Sequence, residues 1–174
     1  MEFLAHMFSG SFALYLMRLI SPTSYEKTVL WVVLAMFFAS MPDIDGFFGG
    51  TLADHHKSPL HKPIFWVGLG AIGYILSIGY GLFPSAYITI IMICVGIHLI
   101  TDTITARTTG IAWLYPIIKK EYSLYTMDPS KGNFNIFAIR GKAFREYRKF
   151  YFQNEGLVIF EYSIFLLGVL TLIL

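Results

Sequence analysis

The chain has 174 residues, of which 56% are hydrophobic and 14% charged, and its formal net charge is +2. With a mean hydropathy of +0.62 it is too apolar for a soluble globular protein, which indicates a single domain, 1–174, within a membrane. The one cysteine, Cys94, excludes a disulfide framework and a cysteine metal cluster, so any metal site must use His, Asp or Glu.

Five apolar runs predict an all-α integral membrane protein, because roughly 20 helical residues cross the hydrocarbon core. The predicted spans are 3–20, 29–41, 63–82, 86–103 and 157–174. The first run lacks a basic start and a small-residue cleavage site, so we expect a membrane helix there rather than a cleaved signal peptide.

Polar residues mark the ends of these spans. The second span runs into Pro42 and a glycine-rich stretch, which cannot sustain a regular helix, so Asp43 and Asp45 lie at its end or just beyond it. The loop 51–62 that follows holds three of the five histidines, and the fourth span ends in a further histidine and aspartate.

The loop 104–156 is the longest stretch of ordinary polarity. Its segment 134–152 mixes aromatic residues with five basic ones. This pattern predicts a basic interfacial helix, with the aromatic rings in the acyl boundary and the basic groups toward anionic headgroups. The alternative is a basic surface helix that only fixes the topology.

The basic residues also predict the orientation of the chain. Of its 13 Lys and Arg residues, two fall on one side of the predicted membrane and eleven on the other. The positive-inside rule then predicts a multi-pass protein of the cell (inner) membrane with a cytoplasmic N-terminus and an external C-terminus.

Seven ionisable residues fall at the cytoplasmic face in this topology. They are His6, Asp43, Asp45, His56, His61, His98 and Asp102. His98 and Asp102 are four residues apart, so on a helix they share one face and can converge on one ion. Such residues are costly to bury and mark function by default, which indicates a metal site.

Other interpretations of single residues stay open. His6 alone is typical of an interfacial histidine bonded to a carbonyl, and His98 with Asp102 is compatible with a polar clamp between helices. His55 and His56 are also compatible with a solvated loop. A metal site needs only one of the two to point inward.

The order of these motifs resembles the small membrane-bound metal-dependent hydrolases described as LexA-regulated or YdjM-like. The resemblance covers 1–116 and rests on His6, on 42–45, on 56–62, on 98–102, and on Gly110 with 113–116. The third element departs from the family pattern, with Lys57, Leu60 and Lys62 where the family has Arg, Thr and Ser. The pattern selects His56 rather than His55 as the ligand.

This resemblance implies a divalent metal cofactor, zinc as one or two ions, with manganese or magnesium as alternatives. The ligands would be Asp43, His56, His61, His98 and Asp102, and His6 would complete or support the site. Asp45 would be a further ligand, orient another ligand or act as the base. Lys57 and Arg107 would stabilise developing negative charge, unless they are only topology anchors.

The resemblance implies a hydrolase. The basic and aromatic segment 134–152 favours, as its substrate, a phosphoester or similar bond in a lipid or amphiphile at the cytoplasmic face. The expected partners are a bilayer with anionic headgroups and that substrate, and no nucleic acid. One alternative is a non-catalytic metal protein, either a sensor or a structural clamp; another is a scaffold without metal. A carrier is disfavoured, because the spans 63–82 and 157–174 hold few polar groups apart from Glu161.

Overall fold

The protein is described by a computed structural model over residues 3–25, 28–48, 51, 54–125, 128–132 and 141–174. Its α-helices are α1 (Phe3–Ile20), α2 (Val29–Ser40), α3 (Pro63–Tyr74), α4 (Ser85–Thr105), α5 (Gly141–Phe152) and α6 (Glu155–Ile173). Short 3-10 helices cover Met41–Phe48, His55–Lys57, Pro59–His61 and Pro129–Lys131, and a π-helical turn, Ile75–Gly79, continues α3. The predicted all-α class is confirmed.

Four helical segments are long and apolar enough to cross a membrane. They are Phe3–Ile20, Val29–Gly46, Ser85–Thr105 and Glu155–Ile173, and they match four of the five predicted spans. The predicted span 63–82 corresponds to a shorter apolar helix, Pro63–Gly79. Crossing of the bilayer by this segment therefore stays a prediction.

Helix α1 packs against α2, α4 and α6, and small residues allow the close approach. A Cβ added at Gly10 would lie 2.3 Å from the Ala35 carbonyl oxygen, and one at Gly168 would lie 2.1 Å from that of Phe8. The Ser11 hydroxyl also donates to the Gly168 carbonyl at 2.7 Å. Small residues and hydroxyl bonds are the usual means of joining helices in a bilayer, and here they fix α1 between its neighbours.

The bundle is apolar at one end and polar at the other. An apolar cluster joins Leu14 of α1, Trp31 of α2 and Ile90 of α4. His6 and His98 lie about two helical turns from that cluster along α1 and α4, beside the end of α2. The regular helix of α2 gives way to a 3-10 helix from Met41, as the sequence predicts from Pro42.

The described part of the long loop contains the expected basic helix, α5. Its exposed residues include Lys142, Arg145, Arg148 and Lys149. The preceding part of the predicted segment, 134–140, lies outside the described residues. The placement of α5 in the membrane interface stays a prediction.

Candidate metal centre

Helix α4 provides the centre of the site, where His98 and Asp102 lie on one face and are fully buried. The His98 Nε2 atom is 2.9 Å from Asp102 Oδ2. The other ring nitrogen, Nδ1, is 2.7 Å from the carbonyl oxygen of Ala39 at the end of α2. Because a carbonyl only accepts, Nδ1 must carry the hydrogen, and the Nε2 atom of the neutral ring then presents a lone pair.

Helix α1 brings His6 to the other oxygen of the same carboxylate. His6 Nε2 is 2.8 Å from Asp102 Oδ1, and the side chain is fully buried. The ring stacks on His98, with centroids 3.7 Å apart. The first and fourth helices are thus joined through one aspartate.

The 3-10 helix after α2 contributes a second buried carboxylate, Asp43. Its Oδ1 lies 3.5 Å from His61 Nε2 and 3.6 Å from the Nε2 atoms of both His55 and His98. Its Oδ2 lies 3.9 Å from His6 Nε2. Asp43 therefore faces four of the five histidines.

Two short 3-10 helices place the loop histidines over these carboxylates. His56 Nδ1 is 2.6 Å from the Thr109 carbonyl oxygen, so its hydrogen is also held by backbone, and its Nε2 lies 3.4 Å from Asp102 Oδ2. His61 Nε2 lies 3.3 Å from His98 Nε2. The indole of Trp66 donates to the Leu60 carbonyl at 2.6 Å and holds this turn in place.

His55 lies in the site although the sequence did not select it. The family pattern selects His56 rather than His55, but His55 is buried as well and its Nε2 faces Asp43. The His55 and His56 rings lie 4.0 Å apart between centroids. Two adjacent histidines in a polar loop have no periodic pattern that would predict both rings on one side. The one signal in the sequence is their position in the chain, between the aspartates at the end of α2 and the histidine and aspartate of α4.

The donor atoms fall into two groups, in each of which all atoms lie within 4.8 Å of one another. One group contains His6, Asp43, His98 and Asp102, and the other contains His55, His56 and His61. Both carboxylates also contact histidines of the second group. The two groups therefore form one continuous cluster.

The two loop histidines that contact Asp102 have opposite pKa shifts. Burial, reinforced by the neighbouring His55, lowers the pKa of His56 to about 3, so its Nε2 lone pair is free of a proton at neutral pH. Burial opposes protonation of His61 as well, but its bonds to the surrounding aspartates outweigh that effect and raise its pKa well above 6.5.

Asp45 lies beside the cluster, on its more exposed side. Its Oδ2 is 3.4 Å from His61 Nδ1, and its side chain is 16% exposed, whereas that of Asp102 is fully buried. A carboxylate at this nitrogen favours a hydrogen on Nδ1 and frees Nε2 for the cluster. This position suits the predicted orienting role, while a role as base stays a prediction.

The two basic residues predicted to be catalytic make their ion pairs elsewhere. The Lys57 ammonium lies 2.9 Å from exposed Asp54. Arg107 Nη1 lies 2.8 Å from Glu161 Oε1, and its guanidinium sits 4.6 Å from the centroid of the Tyr151 ring. The Tyr151 hydroxyl donates to the other Glu161 oxygen. Catalytic roles for Lys57 and Arg107 remain predictions that these contacts do not favour.

These contacts form a second buried network that the sequence did not predict. We call it the Arg107 network (Arg107, Tyr151 and Glu161). Glu161 is 1% exposed. A lone carboxylate inside an apolar span requires a partner, and that was the signal available in the sequence.

Comparison of the sequence with known proteins identifies its family. A family model described as YdjM inner membrane protein matches residues 1–174. The chain belongs to the YdjM inner membrane protein family. This confirms the YdjM-like resemblance, and the family description gives a location in the inner membrane without naming a reaction. No curated protein and no solved structure matches the chain.

Proposed function

We propose that this YdjM-family chain binds divalent metal at the His/Asp cluster and uses it to hydrolyse a phosphoester of a lipid or amphiphile at the cytoplasmic face of the membrane. One observation carries the metal site: His56 and His98 both commit their Nδ1 hydrogens to backbone carbonyls, and both direct Nε2 at Asp102 Oδ2.

A carboxylate oxygen facing two imidazole lone pairs is unfavourable unless positive charge lies among them. A proton on His61, whose pKa is raised, is one source of that charge. A metal cation is a second source, and it would also use the same lone pairs as ligands. Histidines that ligate metal ordinarily donate their other ring hydrogen to a carbonyl or carboxylate, which is the arrangement of His56, His61 and His98. The donor set therefore fits a metal ion.

The number of donors supports two ions. A single tetrahedral zinc needs three protein ligands and a water, whereas five histidines and two aspartates converge here. Asp43 and Asp102 each face both donor groups and would help to hold an ion in either group. Imidazole-rich sites favour zinc, manganese is a weaker candidate, and magnesium prefers oxygen ligands and whole waters.

A bound zinc ion supplies a Lewis acid and lowers the pKa of a coordinated water toward neutrality. The chain's own contribution is positioning. Asp45 holds the His61 ring through Nδ1, and the Ala39 and Thr109 carbonyls hold His98 and His56. The side chains of Asp43 and Asp45 are less deeply buried than that of Asp102, so we place the approach of a substrate on their side.

The lipid substrate is supported by the surroundings of the site. The exposed basic residues of α5 suit anionic headgroups, and the Arg107 network ties the end of α5 to α6 and to the chain just after α4. Helix α5 is thereby held at the same end of the bundle as the His/Asp cluster.

Burial favours one alternative, a metal clamp without catalysis. His6, His61, His98 and Asp102 are all fully buried, and structural zinc sites are closed in this way. A hydrolase would need one metal coordination position left open for water, on the side of Asp45, whereas a clamp would not.

The test is turnover of phospholipids and generic phosphodiesters by zinc-loaded protein in lipid vesicles, with and without a chelator. Asp43→Asn should abolish turnover, and Asp54→Asn, an exposed aspartate in the same region, should retain it. Absent or chelator-insensitive turnover by protein that carries metal would refute the hydrolase and leave the clamp.

A further inference from the structure

The chain that follows α4 forms a hairpin, 111–122, whose base is fixed to the end of that helix. Ile111 and Tyr122 exchange two backbone hydrogen bonds, each 3.0 Å long, and the Leu124 amide donates to the Thr103 carbonyl at 3.0 Å. A Cβ at Gly110 would lie 2.2 Å from the Tyr122 carbonyl oxygen, so the base closes only with glycine there.

One side of the 111–122 hairpin packs back along the helices. Ile111 is fully buried in an apolar cluster with Trp66 of α3 and Leu99 of α4. The Trp113 indole donates to Thr103 Oγ1 at 2.9 Å. Since Leu99 lies about 9 Å before the end of α4, at 1.5 Å per residue, the hairpin runs beside the last turns of the helix rather than projecting beyond it.

The other side of the hairpin is apolar and exposed. Its tip, 114–118, presents Leu114, Tyr115, Ile117 and Ile118, of which Ile117 is 90% exposed. The Lys62 ammonium lies 4.8 Å from the centroid of the Tyr115 ring, so the tip adjoins the start of α3. Ile64, two residues after Lys62 in the first turn of α3, is also apolar and exposed.

Two exposed lysines follow the tip directly, Lys119 and Lys120. Apolar side chains with adjacent lysines match the boundary between acyl chains and anionic headgroups, because the lysine stem is apolar and its ammonium reaches the phosphates. The tip also adjoins the start of α3, which is an apolar helix. Both features indicate that the tip contacts lipid rather than water or another protein.

We infer that the tip of the 111–122 hairpin is seated in the lipid bilayer, with 114–118 in the acyl boundary and Lys119 and Lys120 at the headgroup phosphates. This inference is independent of the proposed reaction. It also has a consequence for the site: Thr109, which holds His56, lies next to the glycine at the hairpin base, so the lipid-seated hairpin helps to fix one histidine of the cluster.

The test attaches a nitroxide spin label to a single cysteine and measures its collision rates with two reagents. One is oxygen, which concentrates in lipid, and the other is a nickel chelate, which stays in water. In a Cys94→Ala background, which removes the chain's one cysteine, single cysteines are introduced as Ile117→Cys, Ile159→Cys and Asp54→Cys. Ile159 is an exposed reference near the start of α6, a candidate membrane span, and Asp54 is an exposed polar reference. The protein is measured in vesicles of phosphatidylethanolamine and phosphatidylglycerol.

The oxygen-to-nickel collision ratio at position 117 should be close to that at 159 and exceed that at 54. A ratio equal to that at 54 would overturn the inference by placing the tip in water. Low collision with both reagents would overturn it as well, because the tip would then be covered by protein, such as a second copy of this chain. Lys119→Gln with Lys120→Gln should lower the ratio at 117, and an unchanged ratio would refute the headgroup contact.

Discussion

The His/Asp cluster and the Arg107 network are both buried groups of ionisable residues at the same end of the bundle, yet their hydrogen bonding differs. In the network, the guanidinium and the tyrosine hydroxyl donate to the two oxygens of Glu161. In the cluster, Asp102 faces histidine nitrogens whose ring hydrogens are held by carbonyls elsewhere. The protein's own donors satisfy the carboxylate of the network, whereas the cluster presents a donor set that fits a cation.

The largest effect should follow the loss of the carboxylate that contacts both donor groups. Asp102→Asn keeps the shape of the side chain but removes the charge that faces four histidines. Zinc titration of metal-free protein should show an affinity loss beyond the about 10- to 100-fold typical of a supporting residue. Asp54→Asn is the matched control and should bind as the wild type does; equal affinities for all three proteins would contradict the ligand role of Asp102.

Breaking the Arg107 network should instead affect stability. Glu161→Gln leaves the buried guanidinium without its counter-charge and should lower the free energy of unfolding by about 3–5 kcal/mol. Denaturation in detergent micelles measures this loss. The double variant Arg107→Met with Glu161→Leu removes both charges and should recover most of it.

The zinc content of the Glu161→Gln variant tests whether the Arg107 network and the His/Asp cluster are separate sites. Because the network lies outside the donor groups, folded Glu161→Gln protein should retain its full zinc content. Loss of zinc from this folded variant would mean that the network and the cluster are one site.

A smaller effect is expected at Asp45, which acts on the cluster through His61. Asp45→Asn should weaken zinc binding by about 10- to 100-fold while leaving the number of bound ions unchanged, because the residue positions a ligand. Calorimetric titration gives both quantities. A reduced number of ions would show that Asp45 is itself a ligand, as one of the sequence predictions has it.

The sequence predicted the bundle well, because a bilayer requires long apolar helices and these leave a direct trace in the chain. It also predicted His98 with Asp102, since a separation of four residues places both on one helical face, and it predicted the end of α2 from Pro42. His55 was missed because the direction of its ring depends on the path of two 3-10 turns. The partner of Arg107 was missed because Glu161 lies 54 residues further along the chain and no local pattern joins them.

The central claim is that the cluster is a metal site, and the direct measurement is the metal content of purified wild-type protein beside Asp102→Asn. The account predicts a stoichiometric transition metal, about two zinc ions per chain, that is lost in the variant. Folded wild-type protein that carries no stoichiometric metal, and that takes up none on titration with zinc, would contradict it.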